Sequence, residues 1–569
     1  MDSAKFKYFL APILLAMAMA QTCCGQVADV VKEPRLQKPI SIKLKIVQLP
    51  AALKELSKLT GVKLENVRTI EDLKITVFVK DEPAGLVLDK ISSVLGCEWK
   101  ADGDLFRLGM DNEERIKRER YVEAEESLAR KEVETELNSI AELGSIDPSE
   151  ASRELIEQNL ARTGDPRTKI AYDPKRVAFL RRAMNPQDSM LGRFLTKLDQ
   201  AKINAFWKGD VIAGVVAPAL SPNPGAEASS SSGSDAIATR RPRQTPRSTP
   251  MFVQYDPLLY QVRVAQGGAV RVVSIRPARV VTQFAPVDEL AKLPFGKEVL
   301  SWDQEIPPDG DLSKVSVSIG KAESRYVDKR VSIADFFEKA FDETHISVVA
   351  DGFRTTAAFK DLNRGLGPLN SWLAKLKTDN HVFTRVEDGM ILIRHGGFWR
   401  LRKFETPEEL LASIEQRATK GSLTLDDYAA LLLKLTPEQA KPFSIPNGTV
   451  TKFDTRPIEI AMPALLFYAS LDSQYVAKAM QDGVIYAQLR SAQRQLFVDA
   501  ALEGEFLGAA SNGFGEDLLK LANSGDARGL GFLIRKGLID VKGAAVDGQA
   551  MLFGASLSES STYKIAVAE

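Results

Sequence analysis

The chain is poor in the residues that most often carry chemistry. Only three cysteines and three histidines occur among 569 residues. Cys23, Cys24 and Cys97 cannot build a disulfide framework, and the isolated Cys97 reads as a small buried apolar side chain. His345, His381 and His395 follow no common zinc-ligand spacing and read as satisfied or surface histidines. Net charge is also missing: 75 Lys plus Arg balance 75 Asp plus Glu, so no overall field draws the chain to nucleic acid or an anionic membrane. There is no Gly-x-Ser-x-Gly elbow and no Gly-x-x-x-x-Gly-Lys phosphate loop. Gly365-Leu366-Gly367 and Gly513-Phe514-Gly515 lack the third glycine of a dinucleotide fingerprint and read as loops. No catalytic, cofactor-binding or metal-binding residue is therefore assigned, and the chain is read as not an enzyme.

Beyond the N-terminus no apolar run approaches the ~20 residues a bilayer span needs. At the N-terminus itself, Lys5 and Lys7 precede the apolar run Phe9–Ala20, and Ala18 and Ala20 form an A-x-A site. Residues 1–20 are expected to be a secretory signal, which places the mature chain outside the cytoplasm. Cleavage after Ala20 leaves Cys23 and Cys24 near the new N-terminus, but Ala20-Gln21-Thr22 lacks the pattern that lipoprotein signals prefer.

What the chain does have is length and repetition. A hydrophobic share of 44% permits sizeable cores, and the length suits several domains. Ile40, Ile42, Leu44 and Ile46 alternate with Ser41, Lys43 and Lys45, the period of a half-buried strand. Leu49, Leu53, Leu56 and Thr60 recur at helical spacing, and Gly61 is placed to cap that helix. Val62–Leu64 is a short strand, and the β-branched run Ile75–Val79 another. Val87, Leu88, Ile91, Val94 and Leu95 form a second helix stripe ended by Gly96, and Asp102-Gly103 predicts a closing hairpin. The order is β-α-β-β-α-β-β.

About 285 residues later the order recurs. Ile333, Phe337 and Ala340 stand where Leu49, Leu53 and Leu56 stand, Thr344 matches Thr60, and Ile346 matches Val62. Leu369, Trp372, Leu373 and Leu376 supply the second helix, and Asp388-Gly389 the hairpin turn. The second copy carries an extra segment, Lys321–Lys329, and a weak third strand near Thr355–Phe359.

This pattern resembles the secretin and TonB short N-terminal (STN) domain, most closely through Leu49–Leu53, Leu59–Val62 and Val77–Leu108. The resemblance covers about 70 residues per copy. It implies a bacterial envelope protein whose modules contact other proteins, and it brings no catalytic residues with it. The long barrel-forming regions of secretins and TonB-dependent transporters are not seen here.

The remaining sequence is read as follows. Residues 38–110 and 314–397 are the two STN-like domains. Residues 111–217 are a charged helical region, with Glu113→Lys117, Glu114→Arg118 and Glu126→Arg130 pairs and a narrow Val133, Leu137, Ile140 stripe. That stripe reads as packing on its own domain. Residues 218–250 are a Ser/Pro/Arg-rich linker, whose Arg240-Arg241-Pro242-Arg243 run reads as a solvated loop. Residues 251–313 are β-rich, 398–505 helical, and 506–569 a C-terminal α/β segment. Leu198–Ile212 resembles Leu471–Ile485, so the duplication is expected to extend further. Each long unit would then close on strands, Leu259–Arg276 in the first and Gln549–Val567 in the second.

The fold class expected is α+β: two STN-like modules, each followed by a mainly helical region and a short β segment. The function expected is a non-catalytic interaction scaffold or adaptor of the cell envelope, binding a protein partner and using no cofactor. Candidate partner-binding edge strands are Ile40, Ile42, Leu44 and Ile46, and Ile75, Val77 and Val79. The alternatives are a structural subunit of a secretion or pilus assembly, which implies oligomerisation, and an enzyme with an unrecognised site.

Overall fold

The computed structural model describes residues 26–27, 29–216, 249–266, 269–273, 290–304, 311–318, 331–354, 366–380, 382–445, 448–481, 484–485, 488–506, 530–535 and 538–543. The fold is mixed α+β with several small sheets. The signal-like residues 1–20, Cys23, Cys24, the Arg240–Arg243 run, the Lys321–Lys329 insertion, the Thr355–Phe359 strand and Gln549–Val567 lie outside the described residues.

The first copy opens, after a short strand β1 (Gln26–Val27), with β2 (Pro39–Gln48), α1 (Leu49–Thr60) and β3 (Lys63–Asn66). It continues with β4 (Lys74–Pro83), α2 (Ala84–Leu95), β5 (Glu98–Asp102) and β6 (Leu105–Gly109). Both helices end on a left-handed glycine, Gly61 at φ 74° and Gly96 at φ 59°, where a side chain would cost conformational energy. The hairpin turns on Gly103 and Asp104, one residue beyond the Asp-Gly pair that marks it.

The charged helix α3 (Asn112–Ser145) follows. Arg118 bonds Glu114 at 3.0 Å and Lys117 lies 3.8 Å from Glu113. Val133, Leu137 and Ile140 are buried. The region expected to be helical up to residue 217 ends instead in a strand, β7 (Val211–Val216). Its apolar Val-Ile-Ala-Gly-Val-Val run pairs with β8 (Thr249–Asp256), followed by β9 (Gln261–Gln266) and β10 (Ala269–Val273) in one antiparallel sheet. The helices before β7 start on Asp147, Asp173, Asn185 and Asp199, whose side chains accept from the first-turn backbone.

The second copy is β11 (Ser316–Ser318), α4 (Ile333–Thr344), β12 (Val348–Asp351), β13 (Leu366–Pro368), α5 (Leu369–Asn380), β14 (Val382–Glu387) and β15 (Met390–His395). The correspondence reaches individual hydrogen bonds. Thr60 Oγ1 donates to Leu56 O at 2.8 Å and accepts from Val62 N at 3.2 Å. Thr344 Oγ1 donates to Ala340 O at 2.7 Å and accepts from Ile346 N at 3.2 Å. Strand pairing corresponds too. β3 runs parallel to β6, and β5 antiparallel to it; β12 and β14 treat β15 in the same way. β2 pairs antiparallel with β4, as β11 does with β13.

The copies are not separate mini-domains. β4 pairs antiparallel with β12, producing one five-stranded sheet in the order β14-β15-β12-β4-β2. The physical reason is that β12 would otherwise end its own three-stranded sheet with open backbone groups. β4 can fill that place because Lys74–Val79 is buried at every position, without the alternation of a one-sided strand.

The chain divides into two compact units. One comprises residues 1–125, 280–423 and 435–455, so it holds both copies; the other comprises 126–279, 424–434 and 456–569. The units are therefore assembled from distant stretches instead of succeeding one another along the chain. In the second unit, β16 (Val484–Ile485), β17 (Leu530–Arg535) and β18 (Leu538–Gly543) form an antiparallel sheet. Asp199 and Asp472 each cap the helix that leads to the first strand of its sheet.

Candidate interaction surface

The strand junction inside the first unit is the clearest recognition event in the molecule. Phe78, Val77, Thr76 and Ile75 stand opposite Val348, Val349, Ala350 and Asp351. Phe78 belongs to the first copy by sequence but lies fully buried in the core of the second, among Ile333, Phe337, Phe341 and Leu373. Its ring centroid is 6.0 Å from that of Phe341.

Charge pairs fix the register of this junction. From β2, Lys43 pairs with Asp342, and Lys45 pairs with Asp335 and, at 2.8 Å, with Glu338, all three acids on α4. From α2, Lys90 reaches Asp388 at 2.7 Å and Glu387 at 3.2 Å on the β14–β15 hairpin. Burial acts to lower the Lys90 ammonium, but the hydrogen bonds it donates to Asp388, Glu387 and Asp89 outweigh this and hold its pKa above the ordinary value.

A buried ion network closes the end of β4. Lys74 bonds Glu405 at 2.7 Å and Glu408 at 2.6 Å, with its side chain only 1% exposed. Arg354 bonds Glu408 at 2.8 Å and Glu415 at 2.6 Å, and Lys452 lies 3.4 Å from Glu415. Three cations thus face three carboxylates, the condition under which buried charges persist. Burial raises the Glu408 carboxyl, and the charges of Lys74 and Arg354 overcome this to leave its pKa below the usual carboxylate value.

The sequence-predicted edge residues divide into two sets. Ile40, Leu44 and Ile46 are buried and Ile42 half-buried on β2, which ends the five-stranded sheet among the described residues. That edge is irregular: β2 shifts register twice against β4, and Ile46 has φ 49°. Bulges and lysines of this kind discourage pairing with a foreign strand. Ile75, Val77 and Val79 are not on an edge. They sit on an interior strand, with β2 along one side and β12 along the other from Ile75 to Phe78, so this strand is not an open edge of the sheet among the described residues. The one sequence signal for this is Phe78, an aromatic on the face opposite Ile75, Val77 and Val79, where a one-sided strand would carry a polar residue. At the far edge, Thr384 N donates to Asp303 at 2.9 Å and Thr384 O accepts from Gln304 N at 3.0 Å, closing β14. Phe78, Lys45, Lys74 and Glu408 were not singled out by sequence, because their roles depend on which strands become neighbours.

Two groups that could carry chemistry, His395 and Cys97, are buried and bonded within the chain. His395 Nδ1 lies 2.5 Å from Asp351 Oδ1, and its backbone N–H donates to Asp351 Oδ2 at 2.6 Å. The pair orients the imidazole. Its Nε2 is buried and has no hydrogen-bond partner among the described residues. His345 caps α4 at φ 58°, and His381 lies outside the described residues. Burial pushes the Cys97 thiol up to about 11, away from the reactive thiolate. Among the described residues no cluster of His, Cys, Asp and Glu could hold a metal ion, and no helix is long and apolar enough to cross a membrane.

In comparisons with known proteins, no family model, no curated protein and no solved structure matches this chain.

Proposed function

We propose that this chain is an exported bacterial envelope protein that acts as a non-catalytic protein-interaction scaffold through two STN-like modules. The single observation that carries the reading is the β4–β12 junction. There one module recognises another by adding a strand to its sheet, with an aromatic knob and charge pairs setting register. Strand addition is a general mode of protein recognition because backbone bonds supply affinity while alternate side chains supply specificity. The engaged state of His395, Asp351 and Cys97 supports binding over catalysis. Export rests on the apolar, Ala-x-Ala-ended residues 1–20.

The test is photo-crosslinking of the full chain in its host, with the reactive side chain placed in turn at Ser41 on β2 and Lys63 on β3. The expected result is a discrete adduct with a different protein in the envelope fraction, from a mature chain lacking residues 1–20. Adducts only with itself would favour a structural subunit. No adduct at either position, with the chain retained in the cytoplasm, would overturn the proposal.

A further inference from the structure

The duplicated topology makes a comparison possible between two grooves in equivalent places. In the second copy, the groove between α4 and the β12 edge is filled by the antiparallel pair β4–β2. In the first copy, the equivalent groove lies between α1 and β3, and β3 ends its sheet among the described residues. A cavity of about 340 Å³ lies there, lined by Pro50, Leu53, Lys54, Ser57, Lys63 and Leu64 among others. This is the size at which pockets begin to hold ligands, ~300 Å³ and upward.

We infer that this groove binds an acidic, two-stranded β element of a partner protein, with an aromatic side chain on its inner strand. The inference rests on the scaffold reading and names the chemistry of the partner. Three differences between the copies carry it.

The walls differ in size. Phe336, Phe337 and Phe341 on α4 correspond to Ala52, Leu53 and Ser57 on α1. The first-copy wall therefore carries smaller side chains at the places where Phe78 meets phenylalanines in the second.

The charges are inverted. Glu338 and Asp342, which hold Lys45 and Lys43, correspond to Lys54 and Lys58 on α1. Asp335 corresponds to Ala51. Lys54 and Lys58 are exposed, and among the described residues Lys58 pairs with the exposed Glu55, 2.6 Å away. An element docking as β4–β2 does would set its outer strand against these lysines, so carboxylates are favoured at the places of Lys43 and Lys45. The same lysines repel the chain's own β2, which keeps copies of this protein from joining head to tail.

The edge is held in waiting. Leu64 corresponds to Val348, whose position on β12 faces Phe78. The outward N–H of Leu64 donates to Ser57 Oγ at 3.0 Å, and the hydroxyl lies 3.5 Å from Leu64 O. A hydroxyl thus occupies the backbone groups that an added strand would use, and it can rotate away without leaving a buried group unpaired.

The experiment uses the full chain and a cyclised hairpin peptide that joins residues 40–48 to 74–82. One version keeps the natural residues; the other carries Lys43→Glu and Lys45→Glu. Circular dichroism checks that both are folded. The glutamate hairpin should bind the full chain, and Lys54→Glu/Lys58→Glu should weaken it by about tenfold, the effect of reversing two exposed ion pairs. The lysine hairpin should show the opposite preference between the two proteins. Equal binding of both hairpins, or no binding by folded hairpins, would overturn the inference. So would a Lys63 crosslink to a second copy or to another segment of this chain. An adduct with a foreign protein at Ser41 alone would also overturn it while leaving the scaffold reading intact.

Discussion

Phe78→Ala is the sharpest probe of how the first unit is assembled. The side chain is fully buried, and its neighbours in the core all come from the second copy. Truncating a buried phenylalanine to alanine costs about 3–5 kcal/mol in lost transfer energy and residual cavity. Loss of the ring contact with Phe341, at 6.0 Å between centroids, argues for the upper half of that range. A cost of this size is a large part of the about 5–15 kcal/mol that holds a typical domain folded. At about 2–4 °C per kcal/mol, the range for large domains, melting should fall by roughly 8–20 °C. The decisive assay is native-state hydrogen exchange read by segment. Protection should fall in α4 and β12, Ile333–Thr344 and Val348–Asp351, although the substitution lies far away in sequence. A loss confined to Pro39–Pro83, with Ile333–Asp351 unchanged, would refute the shared sheet.

Three further outcomes are expected. Glu408 has a lowered pKa, so its contribution to stability is complete above its ordinary value of 4.5 and is lost as pH falls through the depressed folded value. Urea midpoints should drop below pH 4.5, and Glu408→Gln should flatten that dependence while lowering stability at pH 7. Cys97, raised to about 11 by burial, should resist iodoacetamide at pH 8 in the native chain and alkylate readily in urea; equal rates in both would contradict its burial. His345 holds the left-handed cap that Gly61 holds in the first copy. His345→Gly should therefore stabilise the second copy by about 1 kcal/mol, and Gly61→Ala should destabilise the first by a similar amount, both read as shifts in urea midpoint.

How much of this was readable depends on the range of the interaction. The alternation Ile40–Ile46, the helix stripes, Gly61, Gly96 and the Asp388-Gly389 turn all specify local geometry, and the structure places strands, helices and caps there. Nothing local marks Val211–Val216 as a strand at the end of a helical region, because a six-residue apolar run has no period to read. The edge assignment of Ile75, Val77 and Val79 failed for a related reason. A strand's neighbours are not written in the strand; only its buried pattern on both faces hinted that two neighbours were waiting. Lys54 and Lys58 carry no mark as single residues, and acquire one only when α1 is laid against α4.

Sequence alone determined that the same run of elements occurs twice, because backbone dihedrals, caps and apolar periods act over a few residues. Only tertiary structure decided that the two runs share a sheet, that Phe78 belongs to the other copy's core, and that Lys74 meets Glu405 and Glu408. Those outcomes turn on pairing segments hundreds of residues apart, where the gain comes from closing an open strand edge and burying a ring. No local pattern records which distant partner offers that gain.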